Sequence, residues 1–320
     1  MALKKIVVAG GGVLGSQIAF QSRFSGFDVT IWLRSEGSIG RTQPKLNQIR
    51  DHYLEDLEKT KSLIGNPMGE FLYPRALIRD FQSVTPEQID ALKKRTEETL
   101  TSIKLELDMK KAFADADLVI EAMSENPEQK IAFYEKLAPY LPEKAILCTN
   151  SSTLLPSTFA EYTGRPEKYL ALHFANEIWK HNTAEVMGHA ATDPEIYKQV
   201  SEFAAQIGMV PLELHKEQPG YILNSLLVPF LNAAQGLWVN GVADPATVDL
   251  TWKLATGAPA GPFQILDIVG LTTPYEIINH NPEVKTPGTT PYKIAQALKA
   301  KIDKGELGVS AGKGFYDYKK

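Results

Sequence analysis

The residues Lys5–Ala9 read as a short buried strand, and they run directly into Gly10-Gly11-Gly12-Val13-Leu14-Gly15, where a helical pattern begins at Val13. Glycines at 10, 12 and 15 give the spacing G-x-G-x-x-G between a strand and a helix. That spacing permits a tight turn, close approach of an anion to the backbone, and close packing of helix on strand. The first helical turn, with Val13 and Leu14, has N–H groups without intrahelical partners, and a phosphate can satisfy them. A glycine-rich turn without a ligand has the same composition. A second strand at Val29–Leu33 favours a dinucleotide-binding βαβ unit.

The rest of the first two-thirds continues this alternation. Strand candidates are Leu118–Glu121, Ala145–Thr149, Tyr169–His173, Ala184–Val186 and Met209–Glu213. Most are apolar runs without strict polar alternation, as expected for strands covered on both faces. Helical stretches at Pro127–Tyr140 and Glu195–Ile207 follow the start signals Asn126-Pro127 and Asp193-Pro194. The pattern predicts an α/β fold of Rossmann type, a doubly wound parallel sheet. Residues 36–115 interrupt it with helix-spaced apolar residues (Leu46, Ile49, Tyr53, Leu57, then Ile89, Leu92, Leu100, Ile103). They read as a helical arm projecting from the sheet, broken near Gly65–Pro74. Beyond Glu217-Gln218-Pro219-Gly220 the strands stop. Tyr221–Val239 is apolar almost all round and predicts a core helix of an all-α C-terminal domain. The division expected is 1–216 for dinucleotide binding and 217–320 for a helical substrate and dimerisation domain.

Composition narrows the functional classes. A chain of 320 residues with a net charge of −4 and no Lys/Arg stripe is not built for nucleic acid. No apolar run has the length and purity of a membrane span, since Asn224, Asn232 and Gln235 interrupt the longest. Met1-Ala2-Leu3-Lys4-Lys5 leads straight into strand without a signal-peptide core, and the single cysteine, Cys148, cannot form an internal disulfide. These features predict a cytoplasmic protein, with Cys148 as core packing.

The end of the second strand reads Leu33-Arg34-Ser35, where NAD-binding folds place a carboxylate for the ribose 2′-hydroxyl. An arginine beside a missing carboxylate suits a 2′-phosphate, and Arg41 and Lys45 add positive charge. The sequence therefore favours NADP(H) over NAD(H). The other reading is a merely solvated Arg34.

His173 ends a predicted strand at the edge where ligands bind in open parallel sheets, and Glu185 follows 12 residues later. Oxidising a secondary alcohol with a nicotinamide requires a base for the hydroxyl proton, and a carboxylate can orient and support the imidazole that provides it. By spacing alone the pair is weak, because a histidine at a strand end is often structural. Ser151 could equally be a helix cap before Leu154, and Asn224 a satisfied polar residue in a packed helix.

With those residues in place, the chain resembles the L-3-hydroxyacyl-CoA dehydrogenases, which include 3-hydroxybutyryl-CoA dehydrogenase. The resemblance rests on Val8–Gly15, Asp117–Ala122 with Glu125-Asn126, Thr149-Asn150-Ser151-Ser152, Leu172–Asn176 and Glu185. It continues in Pro219-Gly220-Tyr221-Ile222-Leu223-Asn224, Gly261-Pro262-Phe263, Leu266–Leu271 and Gly312–Tyr316. It implies hydride transfer at C3 of a short 3-hydroxyacyl-CoA, His173 as acid/base, Glu185 as its partner, and Ser151 and Asn224 on the substrate oxygens. It further implies cofactor contacts at Glu125, Lys130 and Asn176, CoA contacts from the arm, and a homodimer through the C-terminal domain. Two departures stand out. Leu33 replaces the usual Asp, and Phe174-Ala175-Asn176-Glu177 replaces Phe-Phe-Asn-Pro, followed by Ile178–Asn182. The second leaves open a free hydroxy acid (gulonate- or carnitine-like) as substrate, and a non-catalytic relative is the remaining alternative.

Overall fold

The structure is a computed structural model and describes residues 3–67 and 69–318; Met1 and Ala2 of the opening segment lie outside the described residues. The chain divides into two compact units, Met1–Ile222 and Leu223–Lys320.

The first unit is built on eight strands: β1 (Lys5–Ala9), β2 (Asp28–Trp32), β3 (Lys104–Glu106), β4 (Leu118–Glu121), β5 (Ile146–Thr149), β6 (Tyr169–Phe174), β7 (Thr183–Met187) and β8 (Val210–Leu214). They form one sheet in the order β3-β2-β1-β4-β5-β6-β7-β8. Its helices are α1 (Val13–Phe24), α2 (Glu36–Leu63), α3 (Gly69–Leu72), α4 (Pro86–Ser102), α5 (Met109–Phe113), α6 (Pro127–Leu137) and α7 (Pro194–Gln206). Successive side chains of a strand point to opposite faces, and the packing follows that rule. Ile6 and Val8 enter a core with Ile18, Phe20 and Tyr53 on one face, whereas Val7 and Ala9 join Phe113, Phe133 and Tyr134 on the other. Both faces are therefore covered, which explains why the strands read as unbroken apolar runs.

Three features differ from the sequence expectation. The sheet is not parallel throughout: β7 pairs antiparallel with β6, and β8 is parallel to β7. Within residues 36–115 a short strand, β3, returns to pair with β2. The helices of that region do not stand clear of the sheet. Leu46, Ile49, Tyr53 and Leu57 of α2 are buried in the same core as α1, with Tyr53 edge-on to Phe20 at 5.0 Å. The cause is the apolar face itself, which would cost about 1.5–3 kcal/mol per large side chain if left in water.

The second unit is helical: α8 (Leu223–Val239), α9 (Pro245–Thr256), α10 (Pro262–Val269), α11 (Thr272–Asn279) and α12 (Thr290–Ile302). Its core gathers Leu231, Phe263, Leu266, Leu271, Ile294 and Leu298. α8 supplies core residues as expected, but from one face of the helix. Only Leu231, Ala234 and Gln235 of this helix are buried, and Leu226 is 69% exposed. Two buried aspartates fasten the end of this unit. Asp249 accepts from the backbone N–H of Phe263 and Gln264 and from the Tyr316 hydroxyl. Asp267 accepts from the N–H of Phe315 and Tyr316 and from the Tyr318 hydroxyl. Among the described residues, no helix is long and apolar enough to cross a membrane.

Candidate active site

β1 delivers the chain to a turn that only glycine can make. Gly10 has φ +115°, and a Cβ there would lie 2.7 Å from the Ala122 carbonyl oxygen. Gly12 is the N-cap of α1, without a side-chain cap, and a Cβ placed on it would meet nothing within 4 Å. The start of α1 is thus uncapped by any side chain and open beside Gly12, which leaves room for a pyrophosphate. The space is a cleft of about 430 Å³ between the glycine turn, the end of β2 and the Ala122–Ser124 loop after β4.

The far end of the cleft is positive. Arg34, Arg41 and Lys45 line it, and none has a carboxylate partner among the described residues. Leu33, at the position of the usual acid, is 3% exposed and packs on the core at the wall of the cleft. Ser35 is the N-cap residue of α2, its hydroxyl within 3.0 Å of the Ser38 hydroxyl.

A second cluster forms where β5 and β6 end and β7 begins. His173 of β6 and Glu185 of β7 are directly paired across the antiparallel ladder. The His173 Nδ1–H donates to Glu185 Oε2 at 2.9 Å, which leaves Nε2 as the free nitrogen. The other carboxylate oxygen of Glu185 accepts from the N–H of Ile222 at 2.9 Å. Both side chains are buried, yet the pair is supported by hydrogen bonds on each side, as a buried charge requires. Ser151 follows β5. Its hydroxyl donates to Glu125 Oε2 at 2.6 Å and accepts from the N–H of Leu154 at 2.9 Å. A glycine turn of this kind can recognise a phosphate, and an imidazole with one nitrogen held by a carboxylate can accept a proton on the other.

Residues 74–218 match the 3-hydroxyacyl-CoA dehydrogenase NAD-binding domain, and 220–318 match the C-terminal domain of the same family. A probable 3-hydroxybutyryl-CoA dehydrogenase of Deinococcus radiodurans is 30% identical over 98% of this chain and 100% of its own length. The chain belongs to the 3-hydroxyacyl-CoA dehydrogenase family. The mitochondrial hydroxyacyl-coenzyme A dehydrogenase of Sus scrofa is 29% identical over 99% of this chain and 92% of its own. Among solved structures, a diketoreductase studied for catalysis on dicarbonyl compounds is 45% identical, with a TM-score of 0.84. The match covers 99% of this chain and 100% of the diketoreductase.

As a member of this dehydrogenase family, the chain is an oxidoreductase with a nicotinamide cofactor, and the open glycine turn fits such a dinucleotide. The expected residues fall into place unevenly. Gly10, Gly12 and Gly15 shape the turn, and Val13 and Leu14 open α1. Glu125 is exposed and fastens the Ser151 loop, also accepting from the Ser152 N–H at 2.7 Å. Asn176 lines a separate groove of about 250 Å³ with Val13, Gln17, His52 and Glu177. Asn224 is the second residue of α8, in the other compact unit.

Lys130, which the resemblance assigns to the cofactor, is 1% exposed, and its ammonium is held by both oxygens of the buried Glu121 at 2.7 and 2.8 Å. Burying that carboxylate demands a cation, and Lys130 is the one supplied.

Glu121 itself carried no functional signal in the sequence. It also accepts from the hydroxyls of Tyr134 and Thr149 and from the N–H of Met123, which ties β4, β5 and α6 together beneath the cleft. Missed as well was the clamp on the altered 175–182 segment. The Trp179 indole N–H donates to Asp56 at 2.8 Å, and Lys180 pairs with the same carboxylate at 3.1 Å. This clamp fixes the segment on α2. The only advance signal was the departure from the family pattern.

Proposed function

We propose that this protein interconverts a ketone and a secondary alcohol at C3 of a short 3-oxoacyl or 3-hydroxyacyl compound, the CoA thioester being the first candidate, with NADP(H) preferred over NAD(H). The His173–Glu185 pair carries the reading: a free Nε2 with a carboxylate on the opposite nitrogen is the arrangement that moves one proton at a substrate oxygen. A bound nicotinamide supplies or accepts the hydride. In the oxidation direction Nε2 of His173 takes the hydroxyl proton, and Glu185 stabilises the imidazolium that results. In reduction the same nitrogen returns the proton to the carbonyl oxygen. Ser151 and Asn224 are assigned to hydrogen bonds on the substrate oxygens. Because the Ser151 hydroxyl already donates to Glu125, it can donate to a substrate only by exchanging that partner.

Cofactor preference rests on charge. Arg34, Arg41 and Lys45 offer a 2′-phosphate up to three cations, and the buried Leu33 offers a 2′-hydroxyl no acceptor. The exposed apolar residues Leu226, Leu250 and Leu254 of α8 and α9 support the homodimer through the second unit.

A second reading has its own support. The likeness to the diketoreductase and the clamped 175–182 segment favour a dicarbonyl substrate that carries no CoA. Initial rates with acetoacetyl-CoA and with ethyl acetoacetate, each against NADPH and NADH, test both. Turnover of the thioester alone supports the first reading, and of the ester alone the second. Faster turnover with NADH removes the cofactor proposal.

A further inference from the structure

Among the described residues other than glycine, two have positive φ: Glu177 and Tyr221. Both adjoin the active-site strand, and Tyr221 touches the acid/base directly. Its ring lies over the His173 imidazole with centroids 4.5 Å apart and planes 14° from parallel. Its hydroxyl donates to the Ser151 carbonyl oxygen at 2.7 Å. The residue after it, Ile222, places its N–H on Glu185.

We propose that Tyr221 is the positioning residue of the active site: its ring sets the plane of the His173 imidazole and its hydroxyl anchors the Ser151 loop, so that both aim at one substrate oxygen. The inference rests on the proton-transfer role proposed above. Its physical basis is a count of freedoms. Glu185 fixes one atom of the imidazole but leaves the ring free to swing about that hydrogen bond. A stacked aromatic face removes this freedom. Ser151 lies on a loop, and loops do not hold a hydroxyl to the tolerance that proton transfer requires unless something ties them.

The backbone supports the assignment. Tyr221 sits at φ +53°, where a non-glycine residue is strained, so the surroundings must impose it. Its N–H closes a turn onto the Gln218 carbonyl, and its ring is packed against Ala171, Met187 and Leu214. Burial pushes the Tyr221 phenol well up from its ordinary value, so the hydroxyl remains a neutral donor.

Two variants separate the ring from the hydroxyl. Tyr221→Phe keeps the stack and loses the anchor; Tyr221→Ala loses both, with Tyr221→Leu taking its place if the alanine variant does not fold. The ring is read in proteins labelled with ¹⁵N-histidine, through the downfield Nδ1–H resonance of the His173–Glu185 bond, assigned by its loss in His173→Gln. That resonance should persist in Tyr221→Phe and broaden beyond detection in Tyr221→Ala. Rates should follow: kcat/KM down about 5-fold in Tyr221→Phe, and kcat down about 50-fold in Tyr221→Ala with nicotinamide affinity unchanged. An unchanged resonance in Tyr221→Ala, or kcat within about threefold of the parent, would overturn the proposal. The resonance needs no substrate. A parent protein that turns over neither test ketone would therefore count against the proposed function and leave this test standing.

Discussion

Glu185 faces His173 across the β6–β7 ladder, and the 2.9 Å hydrogen bond between them is set by strand register, not by a flexible loop. Directly opposed residues on an antiparallel pair have their Cβ atoms about 4.5–5.5 Å apart, which suits a carboxylate meeting an imidazole. His173→Gln should lower kcat by about 10²–10⁴ while cofactor binding is retained. Glu185→Gln keeps the volume but removes the charge that supports the imidazolium, and about 10–10³ should be lost. Initial rates paired with a fluorescence titration of the reduced cofactor measure both. Loss of cofactor binding in step with rate would mean the pair is only structural.

At the rim of the cleft, Arg34→Ser should reduce kcat/KM for NADPH by about 10-fold or more, the worth of one charge-assisted contact, and leave NADH nearly unchanged. Leu33→Asp, with its carboxylate beside the 2′ position, should raise the NADH-to-NADPH ratio further. A ratio unmoved by either change would show that this rim does not read the 2′ substituent.

Lys130→Met leaves the Glu121 carboxylate buried without its cation, and it should cost about 3–5 kcal/mol in denaturant unfolding. Adding Glu121→Gln should recover part of that loss, because a neutral amide needs no cation. Recovery stays partial because the amide cannot accept from every donor that now converges there. If the single variant unfolds like the parent, the pair contributes nothing.

Asp117 gives a pH prediction. Its burial acts to raise the carboxyl, but Lys144 and the N–H groups of Lys5 and Lys4 outweigh it and hold the group below the usual carboxylate range. A carboxyl depressed in the folded state contributes stability above its unfolded value of about 4, and that stability is lost as pH falls through the folded value. Urea unfolding of the parent and Asp117→Asn should therefore differ at pH 7 and converge below about pH 4. A gap independent of pH would assign the effect to packing.

Much of this site was legible in the sequence because local chemistry dictates it. The glycine spacing requires a tight turn and an uncapped helix start, and both are present at Gly10 and Gly12. His173 and Glu185 could be named, but their pairing could not be derived, since the antiparallel direction of β7 is written in no local propensity. β3 escaped notice because Lys104-Leu105-Glu106 is too short and too polar to read as a strand. Glu121 and Lys130 were hidden differently: one sits in an apolar strand and the other in a polar helix, and only the fold brings them together. Tyr221 reads as the first residue of an apolar helix. The structure instead ends a turn on it and starts α8 at Leu223.

The two aspartates of the second unit bear on how the chain matures during synthesis. Asp267 finds its donors in Phe315, Tyr316 and Tyr318, and Asp249 takes one of its own from Tyr316. Until those residues leave the ribosome, Asp267 lacks every donor identified for it and resists burial. The first unit has its last strand by Leu214 and can consolidate while translation continues. The second must wait for residues 315–318, so a nascent chain stalled shortly before them should carry a folded first unit and an unfinished, protease-sensitive second one.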